Sequence, residues 1–339
     1  MPDSAMSPSF PVWLDEYLEP VNSQISSLYK GGSALNSAVT DALSTKGKRI
    51  RAILALLWCE AISGDYQPAM PIAVAYELAH AAALVQDDII DGSPTRRGRK
   101  SIVNKYGISN AILTSNMLLF QVPKKLAEYS DLKVTCATLC RLFDMLGESY
   151  GAATLGEFLD LEMARQNTLS ESDYEQMIKL KTGALIGASS ASGAIIGIGD
   201  DVDDNLIESA YTFGELLGTA YQIRDDLLDL MGEEAIMGKP AFTDMRSGKR
   251  NLVLIHTLKR CSIDEKSFIM GLFGNGDSYE RKEIETAREL FARYGSVDHA
   301  NKTSLQYVGR AKEVLSSLKE SKARERLREL SDYLAVRSY

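Results

Sequence analysis

The chain has 339 residues, of which 45% are hydrophobic, so it is long and apolar enough to bury a sizeable core. Its formal net charge of −8 argues against nucleic acid as a general partner, because nucleic-acid-binding surfaces are basic. The first residues, Met1-Pro2-Asp3-Ser4, lack the basic and apolar regions of a secretory signal. Cys136 and Cys140 have helical spacing, but no further ligand group follows them, which indicates free thiols rather than a zinc site. We therefore expect a cytoplasmic protein.

Helical periodicity runs along the chain, and few segments have the alternating pattern of strands. Proline is scarce, with 9 residues, and no stretch rich in Pro, Gly and Ser marks a domain boundary. These features predict one all-α domain over residues 1–339, with residues 1–12 as a flexible N-terminal tail. The most membrane-like stretch, residues 184–199, is short for a span and rich in Gly and Ser, so it indicates a buried helix that packs closely through small residues. No transmembrane segment is expected.

Taken in chain order, the first notable group is basic, since Lys48, Arg49 and Arg51 follow a glycine at the start of a predicted helix. A second predicted helix, rich in alanine, carries His80. A lone histidine on an apolar helix is more often a core residue than a ligand. The same helix continues into an acidic pentad, which gives the basic group and the histidine a different context.

This acidic pentad occurs twice, first as Asp87-Asp88-Ile89-Ile90-Asp91 and again as Asp225-Asp226-Leu227-Leu228-Asp229. On a helix, residues i and i+4 lie on the same face, so the first and last aspartates of each pentad point together. Like charges held so close repel each other unless a cation lies between them, and carboxylate oxygens suit Mg²⁺. Either pentad alone would also fit a solvated acidic helix face.

Cations follow the first pentad directly. Gly92 and Pro94 end the helix. The next residues include four basic side chains, Arg96, Arg97, Arg99 and Lys100. Arginine binds phosphate oxygens with a planar fork of donors. Metal-binding carboxylates beside phosphate-binding arginines predict a site for a diphosphate that is held through Mg²⁺.

With these motifs the chain resembles the trans-isoprenyl diphosphate synthases, also called polyprenyl synthetases. Its two pentads resemble the two Asp-rich motifs of that family, the first with Arg96-Arg97 and the second with Gln222 before it. Five further motifs match in family order: Gly47-Lys48-Arg49-Ile50-Arg51, Glu77-Leu78-Ala79-His80, Lys181-Thr182-Gly183, Gly238-Lys239 and Gly248-Lys249. The resemblance implies an all-α, single-domain helical bundle of the isoprenoid synthase type with a central substrate cavity. It also implies a homodimer.

The resemblance implies a prenyltransferase that joins isopentenyl diphosphate head to tail to an allylic diphosphate, with about three Mg²⁺ held by Asp87, Asp91 and Asp225. The implied catalytic residues are Asp87, Asp88, Asp91, Lys181, Asp225 and Asp226. The implied substrate-binding residues are Lys48, Arg51, His80, Arg96, Arg97, Lys181, Thr182, Gln222, Lys239 and Lys249. Among these, Lys48, Arg51, His80 and Arg97 resemble the group that holds isopentenyl diphosphate, and Lys181, Lys239 and Arg96 the group that holds the allylic diphosphate.

Two small residues precede the first pentad and bear on product length. Ala83 and Ala82 lie four and five residues before Asp87, where relatives that stop at C15 often have large aromatic residues. Small residues leave the tunnel open, so the product is expected to be C20 or longer. Met117, Leu118 and Phe120 on the following helix are expected to close the tunnel further down, which favours C20 to C30.

Two alternatives remain open at this point. A class I terpene cyclase shares the fold and the first pentad, but the second pentad and an intact isopentenyl diphosphate site favour the synthase. A non-catalytic subunit of a heteromeric prenyl synthase would tend to lose pentad carboxylates, and this chain retains all of them.

Overall fold

The computed structural model describes residues 11–29, 32–44, 47–132, 134–166, 170–232, 242–274 and 279–336. Over these residues the fold is all-α, as predicted, and its only strands are the two-residue β1 (Thr95–Arg96) and β2 (Arg99–Lys100), which form an antiparallel hairpin. The predicted tail falls largely on residues 1–10, outside the described residues, and from Val12 the chain forms a short 3₁₀ helix, Val12–Leu14. Leu14 is already buried.

The first ten α-helices carry most of the predicted site residues. They are α1 (Asp15–Ser27), α2 (Ala34–Leu43), α3 (Ile50–Ser63), α4 (Met70–Ile90), α5 (Ile102–Tyr106), α6 (Ile108–Ala127), α7 (Cys136–Arg165), α8 (Glu171–Ile178), α9 (Ala184–Ile198) and α10 (Asp204–Met231). The C-terminal helices are Thr243–Arg246, Leu252–Leu258, Ile263–Gly271, Arg281–Arg293, Ser296–Val314 and Lys322–Val336. Short 3₁₀ helices cover Gln67–Ala69, Glu128–Ser130 and Leu315–Ser317.

Helix α9 lies at the centre of the bundle, between α3 and α10, and its residues from Ala184 to Ile196 are buried. Small residues allow the close approach. A Cβ atom on Gly193 would lie 2.1 Å from the backbone oxygen of Ala55 on α3, and one on Gly214 of α10 would lie 2.4 Å from the backbone oxygen of Ile186. The prediction of a buried helix that packs through small residues is confirmed.

Helix α4 is the apolar helix that leads into the first pentad. Together with the preceding turn it spans residues 67–90, and it is the one helix of the described chain that is long and apolar enough to cross a membrane. In the fold, 78% of its most apolar stretch is buried inside the protein. It therefore serves as a core helix here, although the sequence pointed to residues 184–199 as the most membrane-like stretch.

Candidate active site

The first pentad closes the last turn of α4. Asp87 and Asp88 are helical, and the Asp91 amide donates to the Asp87 carbonyl over 2.8 Å, so Asp91 caps the helix on the same face as Asp87. Gly92 then turns the chain with a φ of 62°, in the left-handed region that glycine adopts without strain. The predicted helix end and the predicted side-by-side aspartates are both present.

A third carboxylate joins this pair. Glu157 of α7 has an oxygen that lies, with oxygens of Asp87 and Asp91, in a group whose members are all within 4.8 Å of one another. The Glu157 Oε1 atom is buried and has no hydrogen-bond partner among the described residues. Clustered carboxylate oxygens with an unpartnered buried oxygen fit a hard divalent cation such as Mg²⁺. The chemistry of this donor set therefore fits the metal that the sequence implied.

Lys181 lies between the first pentad and α7. Its Nζ is 2.7 Å from Glu157, 2.7 Å from Asp160 and 3.9 Å from Asp87. It belongs to a π-helical turn, Lys179–Gly183, a geometry that often occurs at functional sites. A Cβ on Gly156 of α7 would lie 2.2 Å from the backbone nitrogen of Lys181, so only glycine lets α7 and this turn approach so closely.

Glu157 and Asp160 were missed by the sequence reasoning. Both are on α7 among exposed apolar residues, and their spacing of three resembles an ordinary charged helix face. The available signal was the glycine immediately before Glu157, because a helical glycine indicates a close approach of another backbone. Only 5% of the Asp160 surface is exposed, whereas a carboxylate on a solvated helix face would be largely exposed.

The second pentad lies wholly within α10 and is held by polar neighbours. Asp226 is buried and accepts hydrogen bonds from Tyr174 at 2.6 Å and Gln222 at 2.8 Å. Gln222 in turn accepts one from Thr182 at 2.8 Å. Burial, with the nearby charges of Asp225 and Asp160, raises the pKa of Asp226 to about 7 despite these hydrogen bonds. The structure thus brings together Thr182, Gln222 and the second pentad.

Two lysines from distant parts of the chain balance the negative charge of the first pentad. Lys249 donates a hydrogen bond to Asp91. Burial opposes the charge of Asp87, but the cations Lys249, Lys181 and Arg96 outweigh it and lower the pKa of that carboxyl. Burial likewise opposes the charge of Lys181, and the surrounding carboxylates of Asp160, Asp87 and Glu157 raise its pKa. Both lysines are therefore held as cations beside the carboxylates.

In the β-hairpin after the first pentad, the adjacent residues Arg96 and Arg97 point to different places. Arg96 donates to Asp87 at 2.8 Å and to Asp88 at 2.6 Å. Arg97 and Gly98 form the turn with φ angles of 52° and 73°, both left-handed, as in a tight type I′ hairpin. For a bulky residue such as Arg97 this conformation is strained, and strain of this kind clusters at functional sites.

Arg97 turns toward a separate basic group with Arg51 and His80. Its guanidinium packs against the backbone at Gly47, where a Cβ would lie 2.3 Å from Nη1. The Arg51 Nε atom is buried with no hydrogen-bond partner among the described residues. Burial, together with Arg51, Arg97, Arg96 and Arg49, lowers the pKa of His80 well below its ordinary value, so the imidazole is neutral. This concentration of positive charge fits an anion.

Two other basic residues of the N-terminal motif have different surroundings. Arg49 caps α3 in a left-handed conformation, donates to the Leu43 carbonyl at 2.7 Å and pairs with Glu77 at 3.4 Å, so its role is structural. The ammonium group of Lys48 lies 5.1 Å from the centre of the Tyr333 ring, on the last helix.

The remaining predicted residues are placed as follows. Asp225 is half-buried on α10, and Asp229 accepts a hydrogen bond from the Asp244 amide at 3.0 Å. Lys239 lies outside the described residues. Ala83 is half-buried, and Ala82 is fully buried with its carbonyl 3.3 Å from the Ser115 hydroxyl of α6.

Phe120, one of the residues expected to close the tunnel, does not face the core. The Phe120 side chain is 73% exposed on the outer face of α6, so it does not line a cavity within one chain. The position is helical as expected, but periodicity alone does not say which apolar positions of a helix face the core. Leu118, two residues before it, is fully buried.

Comparison with known proteins decides the family. The chain matches the family model described as Polyprenyl synthetase over residues 33–291. It belongs to the polyprenyl synthetase family. A short chain isoprenyl diphosphate synthase of Methanothermobacter thermautotrophicus is 34% identical over 297 residues, which cover 88% of each chain. The prediction from the motifs is thereby confirmed at the level of the family.

Solved structures of this family have the same fold. The geranylgeranyl pyrophosphate synthetase of Pyrococcus horikoshii superposes with a TM-score of 0.88 at 31% identity and covers 96% of this chain and 97% of its own. A polyprenyl synthase of Caulobacter crescentus, solved with calcium and isoprenyl diphosphate, gives a TM-score of 0.87 at 27% identity and covers 97% of each chain. The predicted isoprenoid synthase fold is confirmed.

Proposed function

We propose that this polyprenyl synthetase condenses isopentenyl diphosphate head to tail with an allylic diphosphate to give an all-trans polyprenyl diphosphate of C20 or longer. The observation that carries the proposal is that Lys181 and Thr182, adjacent in the chain, link the two Asp-rich motifs. Lys181 lies beside Asp87 of the first motif. Thr182 hydrogen-bonds Gln222, which in turn hydrogen-bonds Asp226 of the second motif. A diphosphate in this space would have carboxylates on both sides and fixed cations around it.

The allylic half of the site would ionise its substrate. About three Mg²⁺, held by Asp87, Asp91 and Asp225, would neutralise the diphosphate charge and so make it a good leaving group. Asp88, Asp226 and Asp229 orient the carboxylates next to them in the chain. Lys181, Lys249, Arg96 and the predicted Lys239 add positive charge for the departing diphosphate. Tyr174 and Gln222 hold Asp226 in place through the hydrogen bonds given above.

The second half of the site would hold isopentenyl diphosphate. Arg51, Arg97 and neutral His80 form a group with excess positive charge, and Lys48 begins the same motif as Arg51. The double bond of this substrate attacks the allylic carbocation, so no side chain has to act as the nucleophile. The proton that leaves the condensed product is expected to go to the released diphosphate.

Three helices that carry site residues run together away from the metal-binding end. Tyr76 of α4 lies eleven residues before Asp87, or about 16 Å along the helix. Tyr76 is fully buried, and its hydroxyl is 3.0 Å from that of Ser192, eleven residues beyond Lys181 on α9. The Ser149 hydroxyl, eight residues before Glu157 on α7, also lies close to the Tyr76 hydroxyl. Tyr76 therefore meets both α7 and α9 at a similar depth.

This contact supports a product at the short end of the predicted C20 to C30 range. A prenyl unit extends over about one helical turn of 5.4 Å, so three units fit between Asp87 and Tyr76. Ala83, small and half-buried, leaves the first turn open. An allylic C15 substrate would fill this depth, gain one unit to become C20, and then be too long to enter again.

The assembly we propose is a homodimer in the cytoplasm, with residues 1–339 as one domain. Helices α6 and α7 expose large apolar side chains, among them Ile112, Leu113, Phe120, Phe143, Leu155 and Phe158. Gly147 and Gly151 lie on the same exposed side of α7, with open space above them. Large apolar side chains exposed together on two helices are typical of a protein–protein interface, and the two glycines leave room for a helix of the partner chain.

Incubation with labelled isopentenyl diphosphate, each allylic starter and Mg²⁺ tests the function, and chromatography of the dephosphorylated products gives their length. Elongated linear products support the synthase. Cyclic hydrocarbons formed without isopentenyl diphosphate would instead support the class I terpene cyclase. No turnover by the purified homomeric protein, with activity restored by a second chain, would support the non-catalytic subunit.

A further inference from the structure

A cavity lies on the side of α4 that faces α2, α5 and the β-hairpin. Its volume is about 480 Å³, within the range of small-molecule sites. Its wall from α4 includes Ala81, Leu84, Val85 and Asp88. Asp88 follows Asp87 by one residue, which is about 100° around the helix, so this cavity lies on a different face of α4 from the Asp87 side chain.

The interior of this cavity is apolar. Ala42 of α2, Ala81 and Val85 of α4, and Ile102 of α5 all contribute to its lining and are at least nine-tenths buried. Covering this lining with an apolar chain is favourable by about 25 cal/mol for each Å² of apolar surface removed from water. The cavity is therefore suited to the hydrocarbon part of a ligand.

The polar part of the lining is predominantly basic. It contains four cationic side chains, Arg96, Arg99, Lys100 and Lys105, against the two carboxylates of Asp41 and Asp88. Lys105 is already paired with Asp41, and Arg96 with Asp88. The side chains of Arg99 and Lys100 are exposed, and neither forms a hydrogen bond or ion pair with another side chain in the described part of the chain, although Arg99 attracts Asp41 from a greater distance. In a protein of net charge −8, this local excess of positive charge favours an anionic head group.

From the apolar interior and the basic mouth together, we infer that this cavity binds an anionic amphiphile, with its phosphate at Arg99 and Lys100 and its hydrocarbon chain over Val85 and Ile102. Arg96 makes the site regulatory, because it lines the cavity and also binds Asp87 and Asp88 of the catalytic motif. A phosphate at the mouth competes with these aspartates for the guanidinium. Occupancy therefore lowers catalytic activity. The ligand chemistry does not depend on the proposed reaction.

Titration calorimetry with farnesyl monophosphate in EDTA tests the site, since chelation removes the metal-dependent binding of the catalytic aspartates. Three variants are compared with the wild type: Ile102→Trp fills the cavity, Lys100→Glu reverses charge at its mouth, and Lys302→Glu makes the same charge change at an exposed lysine of the helix Ser296–Val314 as a control. We expect binding to weaken at least tenfold in the first two and to be unchanged in the third. Equal binding in the wild type and all variants would overturn the proposal.

Further measurements complete the test. Ile102→Val, which keeps the cavity, should bind like the wild type, and unchanged thermal melting of Ile102→Trp distinguishes a filled cavity from a misfolded chain. Flotation with phosphatidylglycerol vesicles distinguishes the ligand's source: loss of vesicle binding in the same two variants identifies a lipid head group, and binding of farnesyl monophosphate alone identifies a free prenyl phosphate.

Inhibition of condensation by saturating ligand in the wild type, but not in Ile102→Trp, is the expected regulatory effect. Equal inhibition of both would contradict it.

Discussion

Lys249 donates a hydrogen bond to Asp91, although 158 residues separate them in the chain. Lys249 follows the second Asp-rich motif, and Asp91 ends the first. This contact therefore joins two motifs that the sequence presents far apart. It also places a fixed cation beside a carboxylate that is expected to bind metal, which reduces repulsion within the acidic cluster while the metal is absent.

The metal-binding aspartates are expected to be necessary for turnover but not for folding. Asp87→Ala and Asp225→Ala should each reduce condensation by several orders of magnitude, because Mg²⁺ would lose a ligand at the leaving diphosphate. Thermal melting should change little, since Arg96 and Lys181 keep other carboxylate partners when Asp87 is removed. Asp201→Ala, at an exposed aspartate, is the matched control. Near-normal turnover in either active-site variant would refute the assignment.

Metal binding itself should depend on the diphosphate. Without ligand, the carboxylates near Asp87 are already balanced by Lys181, Lys249 and Arg96, so Mg²⁺ gains little. With an unreactive allylic thiolodiphosphate, we expect about three ions to bind cooperatively, because the ligand supplies oxygens and balances the added charge. Manganese titration followed by electron paramagnetic resonance measures the stoichiometry. Equal binding with and without the ligand is the contrary result.

The two groups of basic residues should affect different substrates. Arg51→Ala and His80→Ala are expected to raise mainly the KM for isopentenyl diphosphate, because both residues lie in the buried basic group near Arg97. Lys181→Ala and Arg96→Ala should mainly affect the allylic substrate, because both contact the first pentad. Initial rates with each substrate varied in turn measure the difference. Equal effects of all four variants on both substrates would contradict a division into two sites.

His80 should make stability depend on pH. Its folded pKa is lowered well below the ordinary value of 6.5, so its contribution is fully present above pH 6.5 and is lost as pH falls toward the folded pKa. Urea denaturation of the wild type and of His80→Gln, between pH 8 and pH 5, measures it. The wild type should lose more free energy of unfolding on acidification than the variant. Parallel curves would mean that the imidazole is not held neutral by its surroundings.

Product length should respond to both ends of the proposed tunnel. Ala83→Phe is expected to shorten the product toward C15, because the ring fills the first turn below Asp87. Ala82→Phe carries the same prediction, but Ala82 is fully buried beside α6, so overpacking should also cost about 1–3 kcal/mol of stability. Tyr76→Ala should lengthen the product beyond C20, and Tyr76→Phe, which keeps the ring, should not. Unchanged products in both Ala83→Phe and Tyr76→Ala would show that the tunnel runs elsewhere.

The dimer is testable at its proposed apolar face. Light scattering should give about twice the chain mass of 37.2 kDa for the wild type. Phe143→Glu, which buries a charge if the face is an interface, should shift the protein toward the monomer. Val202→Glu, at an exposed apolar residue outside α6 and α7, serves as the control. A monomeric wild type at working concentration would contradict the proposal.

The sequence by itself determined the motifs and the local structure around them. Two pentads on helices, a break at Gly92 and a Gly/Ser-rich helix after Lys181 are consequences of local backbone preferences and spacing, so they were predictable. Only the tertiary structure decided which distant side chains meet. Glu157 and Asp160 resemble surface charges until the packing against Gly156 brings Lys181 between them.

Burial was also decided by the tertiary structure. Periodicity predicts that Phe120 is helical, but the packing of α6 against α4 leaves its side chain in solvent. Tyr76 gave no signal in an apolar run, and its hydroxyl acquires a role only because α7 and α9 bring Ser149 and Ser192 to the same depth. Spacing along a chain fixes the face of a helix, whereas contacts between helices fix what that face meets.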